Sequence, residues 1–158
     1  MRIYLDVCCL NRPFDDQTQE RVRLESEAVL TILNLCRAGE WQLIGSEAID
    51  FEVLRIPDDD QRNRVAIMAS VARLKVIVDT KVEKKATELA VSGFKPFDAL
   101  HIACAEKSNA DILLTTDDRL LRRALQSFNI IEVRVENPVR WLMEVINSES
   151  SSDEPQPN

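Results

Sequence analysis

The order of apolar and polar residues divides the chain into short unbroken apolar runs and longer stretches with a helical repeat. Arg2–Asp6 sets Ile3, Tyr4 and Leu5 in a row before an acid, the pattern of a buried strand. Over Glu20–Arg37 the apolar Leu24, Ala28, Leu30, Leu33 and Leu35 mark an amphipathic helix, and Gly39 follows where a left-handed C-cap is wanted. Trp41–Gly45 reads as a second strand, with Ser46 a good N-cap for a helix to about Arg55. Pro57 with Asp58, Asp59 and Asp60 makes a polar loop before a helix over Gln61–Arg73. Lys75–Val78 is a third strand. Helices follow over Thr80–Val91, broken by Ser92-Gly93, and from Pro96 to about Lys107. Asp111–Leu114 and Ile130–Val135 are strands on either side of a helix over Asp117–Ser127. Asn137-Pro138 starts a last helix to about Ile146, and the Ser- and Pro-bearing segment 147–158 reads as a disordered acidic tail.

Strands parted by helices are not joined as hairpins; they pair in parallel through right-handed crossovers. The expected fold is α/β, one domain over residues 1–146, with a mostly parallel sheet covered by helices on both faces. Such sheets bind ligands beyond the carboxyl ends of their strands.

Composition removes several classes. Of 158 residues, 45% are hydrophobic and 30% charged, a globular balance. No apolar run approaches the ~20 residues of a membrane span, and the first strand lacks the long apolar stretch of a secretory signal. Gly39, Gly45 and Gly93 stand singly, so no glycine-rich phosphate loop is present. Four cysteines without a Cys-x-x-Cys suggest neither a disulfide scaffold nor a zinc site, and a reducing, cytoplasmic setting is expected. The net charge of −7 argues at first against nucleic acid. However, residues 147–158 hold three acids and no base, and a cation held by other acids would bring the surface closer to neutral.

Four acids carry the candidate chemistry. Asp6 closes the first strand, Asp117 lies just beyond the strand Asp111–Leu114, Asp98 sits in the first turn of its helix, and Glu52 lies on the helix after the second strand. Carboxylates from separate elements can converge into a hard-oxygen cage for Mg2+ or Mn2+. Each also has a plainer role. Asp98 suits a helix dipole, Asp117 an N-cap, and Glu52 a solvated face. Asp6 is the hardest to dismiss, because a carboxylate ending a buried strand must find a partner.

Ile3-Tyr4-Leu5-Asp6, Ser46 with Glu52 six residues on, Phe97-Asp98-Ala99-Leu100-His101-Ile102-Ala103, and Leu114-Thr115-Thr116-Asp117 together resemble the PIN domain family, in the family's order and over nearly all of residues 1–146. The resemblance implies a three-layer αβα fold with a five-stranded sheet and a Mg2+- or Mn2+-dependent nuclease site. Its catalytic and metal-ligating acids would be Asp6, Glu52, Asp98 and Asp117, with Thr115 as a supporting hydroxyl. Two positions depart from the pattern of many members. Cys8 stands where a small polar residue, often Asn, is usual, with Asn11 the nearest amide to replace it, and Arg119 stands where another acid is usual.

Arg119, Arg122 and Arg123 beside Asp117, and Arg12 in the first loop, are candidate RNA-phosphate contacts; their plainer role is a solvated face. His101, one turn after Asp98, reads as a supporting histidine rather than a catalytic base. The expected activity is endoribonuclease cleavage, as the toxin of a toxin–antitoxin pair, with RNA as substrate, an antitoxin protein as partner, a homodimer as assembly and no membrane. The alternative is a PIN-like module that binds RNA or protein without cutting, which Cys8 and Arg119 keep open. An aspartyl-phosphate phosphatase needs a second Asp two residues after the first, and Asp6-Val7-Cys8 lacks it.

Overall fold

The computed structural model describes residues 1–152. Five strands, β1 (Arg2–Leu5), β2 (Gln42–Ser46), β3 (Leu74–Val76), β4 (Ile112–Leu114) and β5 (Val135–Glu136), form one sheet in the order β3-β2-β1-β4-β5. Every pairing is parallel. β1 and β4, side by side in the middle, bury Ile3, Tyr4, Leu5, Ile112, Leu113 and Leu114 completely or nearly so. A central strand covered on both faces has no solvent side, which is why these runs do not alternate.

Eight α-helices complete the described chain: α1 (Val7–Asn11), α2 (Glu20–Arg37), α3 (Glu47–Val53), α4 (Asp59–Ala69), α5 (Thr80–Val91), α6 (Pro96–Lys107), α7 (Asp118–Gln126) and α8 (Pro138–Ser152). The layers are those of an αβα sandwich, with α2 packed on α8 and α6 packed on α3 and α5. Side chains start most of the helices. Asp6, Ser46, Asp58, Asp79 and Asp117 each accept an N–H from the first turn they precede. α6 instead begins on Pro96, whose fixed φ suits a first helical position.

Three expectations need correction. The chain turns into α1 directly after Leu5, because Asp6 caps a helix too short to display a repeat. The last strand is Val135–Glu136, not Ile130–Val135: the N–H groups of Ile130 and Ile131 both turn back to the Ser127 carbonyl, and only Val135 and Glu136 find register partners on the three-residue β4. The last helix runs past Ile146 to Ser152, so residues 147–152 of the expected tail are helical and exposed. There Ser148, Ser150, Ser151 and Ser152 bond back to carbonyls three or four residues earlier, the local alternative that serine hydroxyls take within a helix, without burying anything. Residues 153–158 lie outside the described residues.

Candidate active site

The strand order builds outward from β1 through β2 and β3, then returns to the other side of β1 with β4 and β5. Chains leaving β1 and β4 therefore diverge, and the crevice between their carboxyl ends is the switch point where open α/β sheets place their sites. Asp6 follows β1, and Thr115-Thr116-Asp117 follows β4.

Asp6 is 2% exposed, and its N–H donates to the Leu114 carbonyl at 3.1 Å, extending the β1–β4 pairing by one residue. Its Oδ1 accepts the Cys9 N–H at 3.0 Å. Burial pushes its pKa up, while the neighbouring Thr115 hydroxyl pulls the other way. The Thr115 oxygen accepts the Asp117 N–H at 3.1 Å, so one fully buried hydroxyl holds the turn that carries Asp117. The Oδ1 of Asp117 accepts the Arg119 N–H at 2.9 Å.

Asp98 is the third residue of α6 and half-buried. Its pKa is pushed up to about 6, first by burial and then by the charges of Asp6 and Asp117, with Glu52 adding to them. Glu52, near the end of α3, has a side chain 27% exposed, and its Oε1 lies 3.0 Å from Nε2 of the buried His101. The Cys8 thiol is driven well above its usual pKa, by Asp6 first, then burial, then Glu52, Asp117 and Asp98. The acids thus share one electrostatic neighbourhood, although among the described residues no three Asp, Glu, His or Cys side chains lie close enough together to hold an ion.

The remaining candidates divide. Arg119, Arg122 and Arg123 line a cleft of about 420 Å³ together with Asp98 and Lys95. Arg12 does not join them, contrary to expectation: its Nε and Nη2 donate to the buried Glu25 at 3.0 and 2.8 Å, and its Nη1 donates to Asp15 at 3.1 Å. It belongs to a structural knot. Asn11 lines a second cleft, of about 370 Å³, with Cys8 and Glu52, but its side-chain oxygen accepts from Gln61 of α4 at 3.0 Å. Two basic residues at the site were not singled out from sequence. Lys95 directly precedes the Pro96-Phe97-Asp98 motif, and Arg55, three residues after Glu52, lays its guanidinium 5.5 Å from the centre of the Phe97 ring. Their adjacency to the motif acids was the available signal. The largest cleft, about 640 Å³ between α2, α7 and α8, has largely apolar walls and contains none of the four acids.

The family model for the PIN domain matches residues 3–125, from β1 into the last turn of α7 and across all four acids. The chain belongs to the PIN domain family. PIN domains are generally nucleases, and PIN nucleases generally use divalent metals. Among solved structures, the chain is similar to one in the VapBC2 complex of Rickettsia felis bound to a DNA fragment from its promoter. That match has 16% identity and a TM-score of 0.57, covering 87% of this chain and 98% of the other. At that identity the likeness is one of fold. No curated protein matches the chain. The donor set of this PIN domain fits a hard divalent cation: four carboxylates offer oxygen ligands only. The neighbouring acidic charges that add to the burial lifting Asp98 are also what a cation would offset.

Proposed function

We propose that this PIN domain is an endoribonuclease that hydrolyses RNA phosphodiester bonds with Mg2+ or Mn2+. Asp6, Glu52, Asp98 and Asp117 would hold the cation. When bound, the cation supplies neutralisation of phosphoryl charge and a water of lowered pKa. Thr115 holds the Asp117 turn, and Arg119, Arg122 and Arg123 take substrate phosphates in the cleft beside Asp98. The observation that carries this reading is the placement of Asp6 and Asp117 directly after β1 and β4, on either side of the switch point, with the charges of Asp6, Asp117 and Glu52 adding to the burial that pushes Asp98 up. A basic cleft opening beside negative acids is the arrangement by which a net-acidic protein can hold RNA.

The likeness to a chain of a VapBC complex supports a toxin role with an antitoxin protein as partner, and the family resemblance supports a homodimer. Purified protein is expected to cut single-stranded RNA with Mn2+, leaving 5′-phosphate and 3′-hydroxyl ends, and to stop when the ion is chelated. A second reading, binding without cutting, is favoured by Cys8 and Arg119, which stand where many PIN domains have a polar and an acidic residue. That reading predicts retarded but intact RNA in the same incubation. Induced expression in a bacterial host is expected to arrest growth, and co-expression of a cognate antitoxin to restore it; unimpeded growth would remove the toxin role.

A further inference from the structure

A continuous chain of hydrogen bonds runs through side chains of four elements and ends on one of the four acids. The Ile49 N–H donates to Ser46 Oγ at 3.1 Å, and that oxygen lies 2.7 Å from the Tyr4 hydroxyl. The Tyr4 hydroxyl lies 2.7 Å from His101 Nδ1, and His101 Nε2 lies 3.0 Å from Glu52 Oε1. Ser46, Tyr4 and His101 are fully buried or nearly so. Ser46 ends β2 and caps α3, Tyr4 is on β1, His101 on α6 and Glu52 on α3, so the chain closes on the helix where it began.

With a neutral His101 the donors run in one direction. An ionised Glu52 has no proton to give, so Nε2–H of His101 donates to it. In a neutral imidazole Nδ1 is then an acceptor, the Tyr4 hydroxyl donates to it, and the Ser46 hydroxyl donates to the Tyr4 oxygen. Among the described residues no buried side-chain polar atom is left without a partner. Phe97 stacks on the imidazole at 6.3 Å and 28°, fixing the ring plane. Capping α3 needs only Ser46, and an aliphatic side chain would fill the place of His101 without a buried polar network. The network's evident product is the orientation of Glu52.

We propose that His101 is a positioning residue for Glu52: it engages Oε1, leaves Oε2 to the cation, and ties the Glu52 carboxylate to the helix that carries Asp98 one turn earlier. This rests on the reading of Glu52 as a cation ligand given above. A merely structural histidine would cost stability when lost and leave the affinity of the folded protein for the ion unchanged.

His101 is the sole histidine of the chain, so its ring nitrogens give the only imidazole signals in a long-range 1H–15N spectrum of the full-length protein. The expected metal-free spectrum is that of the Nε2–H tautomer. Its Nε2 resonance is expected to shift with added Mg2+ along the same saturation curve that calorimetry gives. In calorimetry with Mn2+, His101→Leu is expected to weaken binding about 10–100-fold. For RNA cleavage the same variant is expected to lower kcat with KM unchanged. His101→Gln, whose side-chain N–H can reach the same carboxylate, is expected to recover most of both. A folded His101→Leu with wild-type Mn2+ affinity overturns the proposal. So does a histidine signal indifferent to Mg2+ while the ion binds, a result that stands even where the Leu variant does not fold. If Glu52→Gln weakens Mn2+ binding and His101→Leu does not, the positioning role alone falls. If wild type binds neither ion, the four-acid reading falls and this inference with it.

Discussion

At the scale of single residues, the structural and chemical roles of the acids are not alternatives. A helix cap uses one carboxylate oxygen: Oδ1 of Asp6 for Cys9, and Oδ1 of Asp117 for Arg119. The other oxygen of each carboxylate is not needed by the cap. Asp98 is the place where the cost of assembling the cluster can be measured. Its folded pKa of about 6 lies above the ordinary 3.8, so the folded protein holds the proton more tightly than the unfolded chain. By linkage, this group's stabilising contribution is full below about pH 4 and is lost as pH rises through about 6. Asp98→Asn removes that loss. In chelator at about pH 7.5 the variant is expected to exceed wild type by about 1–2 kcal/mol after allowance for solvent screening, and to match it near pH 4. Thermal melts at the two pH values check this, and a less stable variant at the higher pH would show Asp98 to be only a favourable helix-start charge. All four acids were legible as candidates from strand-end and helix-start positions and the motifs around them. The bond from Glu52 to His101 was not, because it joins residues 49 apart in sequence and depends on how α3 lies against α6.

At the scale of elements, the buried Glu25 ties three pieces of chain together. It accepts from Arg12 in the first loop, from Asn137 Nδ2 at 2.6 Å at the start of α8, and forms an ion pair with Arg21 at 3.4 Å within α2. An acid inside the apolar stripe of α2 gives no sign of this in the sequence, since each partner comes from a distant segment. Removing Glu25 takes away the acceptor that joins Arg12, Asn137 and Arg21, so Glu25→Ala is expected to cost about 2–3 kcal/mol in urea unfolding. Cleavage per folded molecule should not change; a loss of activity in the folded variant would draw Glu25 into the site. On the opposite side of the cluster, Gly93 at φ +108° joins α5 to α6, and a Cβ there would lie 3.1 Å from the Arg123 guanidinium. The turn therefore needs glycine for its backbone and as a seat for the arginine. Arg122→Ala with Arg123→Ala is expected to weaken RNA binding at all sequences alike and to lower the salt slope by about 2. An unchanged slope in a filter-binding titration would return both to the solvated face. The helices and four of the strands were readable from period and caps. α1 and the exact reach of β5 were not, because each is decided by a single capping or turn interaction rather than by a repeat.

At the scale of the whole molecule, the parallel sheet and its strand order set where the chemistry can lie, with Asp6 and Asp117 directly after β1 and β4 at that edge, while the apolar cleft of about 640 Å³ between α2, α7 and α8 lies elsewhere. Residues 147–152 carry none of the candidate site residues. They are exposed and their serines bond only within α8, so removing 147–158 is expected to change unfolding stability by less than about 0.5 kcal/mol. A larger loss in chemical denaturation would mean that this end packs on the domain. The fold class was legible from the alternation of strands and helices, but the grouping of Asp6, Glu52, Asp98 and Asp117 into one proposed site came only through family resemblance, since no local pattern relates residues of four elements. The most direct test of the account is the rate of single-stranded RNA cleavage across a Mn2+ titration, for wild type beside Asp6→Asn, an isosteric change that keeps a side-chain oxygen to cap α1. The account predicts cleavage that rises with the ion, vanishes in chelator, and is lost in Asp6→Asn while the variant still folds. Cleavage at the wild-type rate by folded Asp6→Asn, or equal rates with Mn2+ and with chelator, would contradict it.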